Sequence, residues 1–125
     1  MAYSSTLNYV VGDTLPVLEL KLKDRNTAAS GATLDPDDNT TWAPINITGA
    51  TVKLRIRELG STDLHGTLTC TITGGTAGEC ATNFAAAPFT SSGTYEGEVE
   101  IEFSGSTGKQ TVYDLVKFKV RDDFD

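Results

Sequence analysis

The chain has 125 residues and a formal net charge of −7, a size that fits one domain with one core and leaves no room for a second. This acidic balance argues against a nucleic-acid partner, because phosphate binding needs clustered Lys and Arg. No apolar stretch is long enough to span a bilayer, which excludes membrane insertion.

The first half of the chain contains three predicted strands. Residues Thr6 to Val11 are expected to form an edge strand. In the other two, apolar residues alternate with charged ones, and this period of two buries one face of a strand. The alternating sets are Leu18, Leu20 and Leu22 against Glu19, Lys21 and Lys23, and Val52, Leu54 and Ile56 against Lys53, Arg55 and Arg57.

Between these strands, Asp24 to Pro44 is predicted to be one long irregular loop. Loops longer than about 12–15 residues in a compact domain are usually functional or disordered. We therefore expect this loop to make contacts with a partner through its acidic and aromatic residues, which are Asp35, Asp37, Asp38 and the single tryptophan, Trp42. The alternative for Trp42 is a plug over one end of the fold.

The acidic part of this loop has some of the spacing of a calcium site. Asp35, Asp37 and Asn39 occupy the first, third and fifth positions of such a loop, where oxygen ligands converge. Thr40 stands where a glycine is needed, and Asn46 where a bidentate glutamate belongs. The sequence therefore favours a solvated acidic turn, and no metal or other cofactor is predicted.

In the middle of the chain, a glycine-rich turn at 74–78 separates two Thr-rich segments, Gly66 to Thr73 and Gly78 to Phe84. This arrangement predicts a β-hairpin. Cys70 and Cys80 are placed symmetrically about the turn, so a symmetric register would bring them directly opposite each other, close enough for a possible disulfide. In a reducing cytoplasm, we expect two free thiols.

The C-terminal part contributes two more strands. From Gly93 to Phe103 apolar residues alternate with Glu96, Glu98, Glu100 and Glu102. Val116, Phe118 and Val120 alternate with basic residues, whereas Tyr113 and Leu115 fall in the opposite phase, which indicates a bulge. The glutamates either pair with the basic rows of neighbouring strands or form a charged face that docks a complementary subunit, a role assigned to Glu96, Glu98 and Glu100.

No segment shows the apolar spacing of an amphipathic helix, and about seven short strands are separated by turn signals. This pattern predicts an all-β fold, an immunoglobulin-like antiparallel β-sandwich formed by residues 1–125 as a single domain. A small barrel is the alternative.

Candidate catalytic residues are few. The single histidine, His65, lies between Leu64 and Gly66 in a predicted turn and has only Asp63 nearby. A general base or metal ligand normally has convergent partners. The sequence also contains neither a phosphate-binding loop nor a nucleophile elbow. We therefore expect a protein that is not an enzyme.

Four segments taken together resemble a known family. They are Val11-Gly12-Asp13-Thr14-Leu15-Pro16, Leu18 to Asp24, Ile47-Thr48-Gly49-Ala50-Thr51-Val52-Lys53-Leu54-Arg55-Ile56-Arg57, and Gly93-Thr94-Tyr95-Glu96-Gly97. The chain is similar to the N-terminal immunoglobulin-like domain of the phage baseplate upper protein and to related small virion proteins of tailed phages. Tyr95 is expected to bury its ring and to form a hydrogen bond to the backbone through its hydroxyl, as the tyrosine of a tyrosine corner does.

The resemblance implies a structural protein of a tailed-phage virion that binds other virion proteins in a symmetric multi-copy assembly. The insertion from Ala28 to Ala43 departs from the family pattern, so a baseplate, tail, neck or capsid-surface position is left open. The implied location is the virion, after synthesis in the host cytoplasm, since Met1 to Ser5 lacks the features of a signal peptide. Phe124, among three aspartates, is either a loose end or an anchor.

A second functional hypothesis is a carbohydrate- or host-surface-binding module. In that case Trp42, Tyr3 or Tyr9 would stack on sugar rings, and the acidic loop would supply hydrogen bonds.

Overall fold

The computed structural model describes residues 6–84, 89–105, 108–112 and 115–124. Within them, the chain forms ten strands and two short 3₁₀ turns, Asn39–Thr41 and Gly75–Ala77. The strands are β1 (Thr6–Val10), β2 (Val17–Lys21), β3 (Lys23–Ala28), β4 (Trp42–Pro44), β5 (Thr51–Glu58), β6 (Gly66–Gly74), β7 (Glu79–Asn83), β8 (Gly93–Glu102), β9 (Lys109–Thr111) and β10 (Val116–Arg121).

Most strands belong to one curled sheet with the order β1-β10-β8-β5-β6-β7-β2, and β9 pairs with β8. The long strand β6 pairs with β5 through its first half, from Gly66 to Cys70, and with β7 through its second half. Because one strand serves both halves, the sheet folds over and encloses a core. The predicted all-β, sandwich-like fold class is confirmed.

The core is formed by the alternating apolar residues that the sequence places on one strand face. Leu20, Leu54, Val99, Ile101 and Phe118 are all fully buried, and they come from β2, β5, β8 and β10. Burying a side chain of this size contributes about 1.5–3 kcal/mol each. The same alternation leaves the charged residues of these strands on the outer face.

Two pairings differ from the predicted antiparallel sandwich. β1 runs parallel to β10, with Thr6 beside Lys117 and Val10 beside Arg121. The segment predicted to be one irregular loop contains β3 and β4, which form a separate two-stranded antiparallel sheet. The loop prediction for Asp24 to Pro44 is therefore wrong at both of its ends.

The sequence predicts a bulge before β10, where the structure has two separate strands, β9 and β10, that both pair with β8. Thr111 lies beside Glu100 and Val116 beside Gly97, and Val112 and Val116 are both buried, so these two valines keep the same phase. Val112 still donates its backbone N–H to the Val99 carbonyl. Tyr113 lies outside the described residues.

Tyr95 has the position expected for it at the start of β8. Its ring is buried, and its hydroxyl donates a 2.8 Å hydrogen bond to the backbone carbonyl of Ser91. The ring also packs on Phe89, with 4.9 Å between ring centroids. Gly93 precedes it with a φ of 151°, in the region that only glycine adopts easily. The predicted corner geometry is confirmed.

Candidate interaction site

The outer face of β8 carries glutamates between two basic strands. β5 and β10 flank β8, and the register places Arg57 and Lys117 on either side of Glu96. Arg55 lies beside Glu98, and Lys53 beside Glu100. The opposite charges predicted from the alternation therefore come together as direct cross-strand neighbours.

Two of the three glutamates assigned to a docking face are neutralised within the chain. Arg57 Nε lies 3.0 Å from Glu96 Oε1. Arg55 reaches diagonally past its direct neighbour to place Nη2 3.3 Å from Glu100 Oε1, and Lys109 Nζ lies 3.7 Å from Glu100 Oε2. The hydrogen bond from Arg55 lowers the pKa of Glu100, with the charges of Arg55 and Lys109 adding to the effect.

Glu98 is different from these two residues. It is exposed, and no ion pair or hydrogen bond to it is found within the described residues, because Arg55 binds Glu100 instead. Beside Glu98 lies a groove with a cavity volume of about 160 Å³, which we call the β8 groove. Its lining residues are Arg55, Ile56, Arg57, Thr62, Leu64, Glu96, Gly97, Glu98 and Leu115.

The β8 groove combines apolar walls with the Glu98 carboxylate, for which the described residues supply no ion-pair partner. Leu64 projects from the β5–β6 loop and is 56% exposed, and Leu115 is half-buried. Apolar side chains on a charged outer face are suited to bind an apolar side chain of a partner, and Glu98 is suited to bind a neighbouring cation. Arg55 and Arg57, held by Glu100 and Glu96, form part of the polar rim.

Regular alternation with the buried Val116 explains why Leu115 reaches this face. Continuing the register from Val116 beside Gly97 places Leu115 beside Glu98, on the outer side of the sheet. The opposite phase of Leu115 was thus a usable sequence signal for the groove. Leu64 gave no comparable signal, since it lies in a loop whose position depends on β5 and β6.

The acidic residues of the predicted contact loop are used in local structure. Asp35 Oδ1 accepts from the backbone N–H of Asp37 at 3.0 Å, and Asp38 Oδ1 accepts from the backbone N–H and hydroxyl of Thr40. The hydroxyl and backbone hydrogen bonds from Thr40 lower the pKa of Asp38. Asp37 also lies 3.7 Å from Arg25 Nη2. These contacts stabilise turns and do not aim the three carboxylates at one ligand.

Trp42 is buried, which contradicts the expectation of an exposed aromatic contact. The side chain is 5% exposed. Its indole Nε1 donates to the Asp35 carbonyl at 2.9 Å, and the guanidinium of Arg25 lies 5.4 Å from the ring centroid. Trp42 therefore stabilises the β3–β4 sheet and its connecting turn, and its ring faces are covered too well to offer a ligand platform.

Cys70 and Cys80 do not lie directly opposite each other. Cys80 pairs with Ile72, and Cys70 pairs with Val52 of β5, because the turn between β6 and β7 is not symmetric and Gly74 pairs with Glu79. Both thiols are free and buried. The neighbouring Cys80 thiol and burial raise the pKa of the Cys70 thiol. The two sulfurs are diagonal neighbours in the core.

The remaining candidates are spread over the molecule. His65 is exposed in its turn, with its ring 4.9 Å from that of Tyr95. Phe124 is 93% exposed, and Arg121 lies over its ring at 4.9 Å. Tyr9 packs against Phe84, with 4.5 Å between centroids, and Tyr3 lies outside the described residues.

Among the described residues, no group of three His, Cys, Asp or Glu side chains is arranged to hold a metal ion. The same residues include no helix with the length and apolar character required to cross a membrane. No protein-family model matches the chain, and no curated protein shows significant similarity to it.

Proposed function

We propose that this chain is a non-enzymatic structural protein of a tailed-phage virion and that it binds a neighbouring virion protein through the β8 groove. The observation that carries the binding part is Glu98, an exposed carboxylate without an ion-pair partner among the described residues, beside the apolar side chains of Leu64 and Leu115. The virion part is supported by the resemblance of the four sequence segments.

Three of the four resembling segments contain a motif that lies just before a strand or at its start. Gly12-Asp13-Thr14 precedes β2, Thr48-Gly49-Ala50 precedes β5, and Gly93-Thr94-Tyr95 opens β8. Gly49 has a φ of 74°, so a glycine is favoured at that turn. At these positions the motifs help the chain to enter the strands of the sheet. A resemblance in fold implies such a role, and this supports the proposal.

The chemistry of the groove indicates what kind of segment it accepts. Leu64 and Leu115 favour one apolar side chain, and Glu98 favours a Lys or Arg next to it. The net charge of −7 also attracts a basic partner over a longer range. We expect a partner segment in which an apolar residue lies next to a basic one.

The two aromatic residues of the carbohydrate-binding alternative that lie in the described part of the chain, Trp42 and Tyr9, give it no support. Trp42 is buried by its own hairpin, and Tyr9 packs into a cluster with Phe84, Phe89 and Phe118. A sugar-binding platform needs an exposed ring face. We therefore carry only the virion proposal forward.

The test is incorporation of a tagged chain into particles of the phage that encodes it, measured by mass spectrometry of purified virions. The wild-type chain is expected in a fixed copy number, and Glu98→Lys and Leu115→Ser are each expected to reduce incorporation at least about tenfold, which corresponds to about 1.4 kcal/mol. Glu102→Lys, with the same charge change on an exposed residue of β8, is the matched control. Absence of the wild-type chain from virions would contradict the virion role, and full incorporation of both groove variants would contradict the groove.

A further inference from the structure

Strand β2 is one end of the main sheet, and no strand of the described residues pairs with its outer side. The Leu22 N–H binds the Gly78 carbonyl, which continues the β2–β7 register. Because backbone groups alternate in direction along a strand, Leu18 and Leu20 also face β7, whereas Val17, Glu19 and Lys21 point their N–H and C=O groups away from it. No backbone hydrogen bond from these three residues to another element is found in the described part of the chain.

The side chains at this edge are exposed. Val17 is 62% exposed, Leu15 just before it is 88% exposed, and Glu19 and Lys21 face solvent on the outer side of the sheet. An edge that combines unpaired backbone with exposed apolar residues is a template for another strand. The charges on the edge determine which strand fits.

The sequence of β2 is complementary to itself in one antiparallel register. A two-fold axis at Leu20 places Glu19 opposite Lys21 of a second copy, and places Lys21 opposite the second copy's Glu19. Both residues of each pair point their backbone groups at the partner strand, so each pair exchanges both N–H···O bonds. The neighbouring registers, with the axis at Glu19 or at Lys21, instead bring identical charges together.

From this complementarity we infer that the chain self-associates through β2, extending the sheet of one copy into that of another about a two-fold axis at Leu20. The interface is isologous, and it lies on a different strand from the β8 groove. The inference goes beyond the proposed function, because it concerns a second copy of this chain and holds whether or not the protein is part of a virion.

Sedimentation velocity of the purified full chain tests this inference over a range from about 1 to 200 μM. The wild-type chain is expected to show a concentration-dependent dimer. Glu19→Lys and Lys21→Glu each place like charges opposite each other, so each is expected to weaken dimerisation at least about tenfold. The double variant E19K/K21E restores opposite charges and is expected to return the dissociation constant to within about threefold of the wild-type value.

Two controls separate a specific edge from a general effect of charge. Glu102→Lys changes the net charge as Glu19→Lys does but lies on β8, and it is expected to leave dimerisation unchanged. Because Lys21 also lies 3.5 Å from Glu79, thermal unfolding of each variant verifies that the fold is retained. A wild-type chain that is monomeric at 200 μM, or a double variant as weak as the single ones, would overturn the inference, and neither result bears on incorporation into virions.

Discussion

Gly97 occupies a position on β8 where a side chain has no room. A Cβ atom added there would lie 2.7 Å from Leu54 Cδ1 and 3.2 Å from Phe118 Cε2, and both of those residues are fully buried. The alternation places Gly97 on the buried face between Tyr95 and Val99. It does not show why the residue is glycine, because the obstructing side chains come from β5 and β10, which only the tertiary fold brings to this point.

Replacing Gly97 by Ala is expected to lower the free energy of unfolding by about 1–3 kcal/mol, because Leu54 and Phe118 must leave their packed positions. Urea unfolding followed by circular dichroism measures the change. Thr94→Ala, on an exposed position of the same strand, is the control and should change stability by no more than about 0.5 kcal/mol. An Ala variant as stable as the wild type would mean that the core yields more easily than its contacts indicate.

The Tyr95 hydroxyl contributes separately from its ring. Tyr95→Phe keeps the buried ring and removes the hydrogen bond to the Ser91 carbonyl, leaving that carbonyl with one donor fewer. We expect a loss of about 0.5–1.5 kcal/mol in the free energy of unfolding, measured by the same denaturation. If the loss is absent, water replaces the hydroxyl and the corner depends on ring packing alone.

At the scale of elements, alternation predicted where the strands are, but not how their registers align. β8 and β10 lie within the segments expected from period two, and β2 and β5 overlap theirs but also include Val17, Thr51 and Glu58. The relation between Cys70 and Cys80 differs from the prediction because the turn is not symmetric: Gly74 pairs with Glu79, and Ile72 pairs with Cys80. Likewise, Lys23–Ala28 lacks an apolar alternation, since β3 is stabilised by pairing with β4 and by Trp42 and not by the main core.

The ion pairs that join β5, β8 and β9 through Glu100 predict a dependence of stability on pH. The pKa of Glu100 is lower in the folded chain than in the unfolded one, so its stabilising contribution is complete above the unfolded value of about 4.5 and is lost as the pH falls through the folded value. The free energy of unfolding is therefore expected to fall below about pH 4.5.

Glu100→Gln is expected to reduce this fall in the free energy of unfolding at acid pH. At neutral pH it is expected to lower the free energy of unfolding by about 0.2–1 kcal/mol, the range of a cross-strand charge pair. Urea unfolding at a series of pH values measures both effects. Glu102→Gln is the control, because Glu102 lies exposed on the same strand. If the free energy of unfolding of Glu100→Gln falls at acid pH as steeply as that of the wild type, other carboxylates cause the pH dependence.

Across the whole molecule, the first strand closes the curled sheet. β1 lies at one end of the strand order and pairs in parallel with β10, yet Tyr9 on β1 contacts Phe84, which follows β7 near the other end. The Tyr9 ring centroid also lies 5.9 Å from that of Phe118. Sequence periodicity carries no information on strand direction or on such distant pairings, so this closure could not be predicted from the alternation.

Because Tyr9 contacts both ends of the sheet, the stability of the fold is expected to depend on this side chain. Burial also raises the pKa of the Tyr9 hydroxyl. The stability that depends on the protonated phenol is complete below the unfolded pKa of about 10 and is lost as the pH rises toward the folded value. We expect Tyr9→Ala to cost about 2–3 kcal/mol at neutral pH, less than a fully buried aromatic because the ring is half-exposed.

Tyr9→Phe keeps the ring contacts with Phe84 and Phe118, so its stability at pH 7 should stay close to that of the wild type. Above about pH 10 its free energy of unfolding should fall less steeply than that of the wild type, because it has no phenol to ionise. Urea unfolding of the three proteins between pH 7 and pH 11 measures both limbs. A Tyr9→Ala chain as stable as the wild type would contradict closure through β1, whereas a Tyr9→Phe chain with an undiminished alkaline decline would assign that decline to other groups and leave the closure intact.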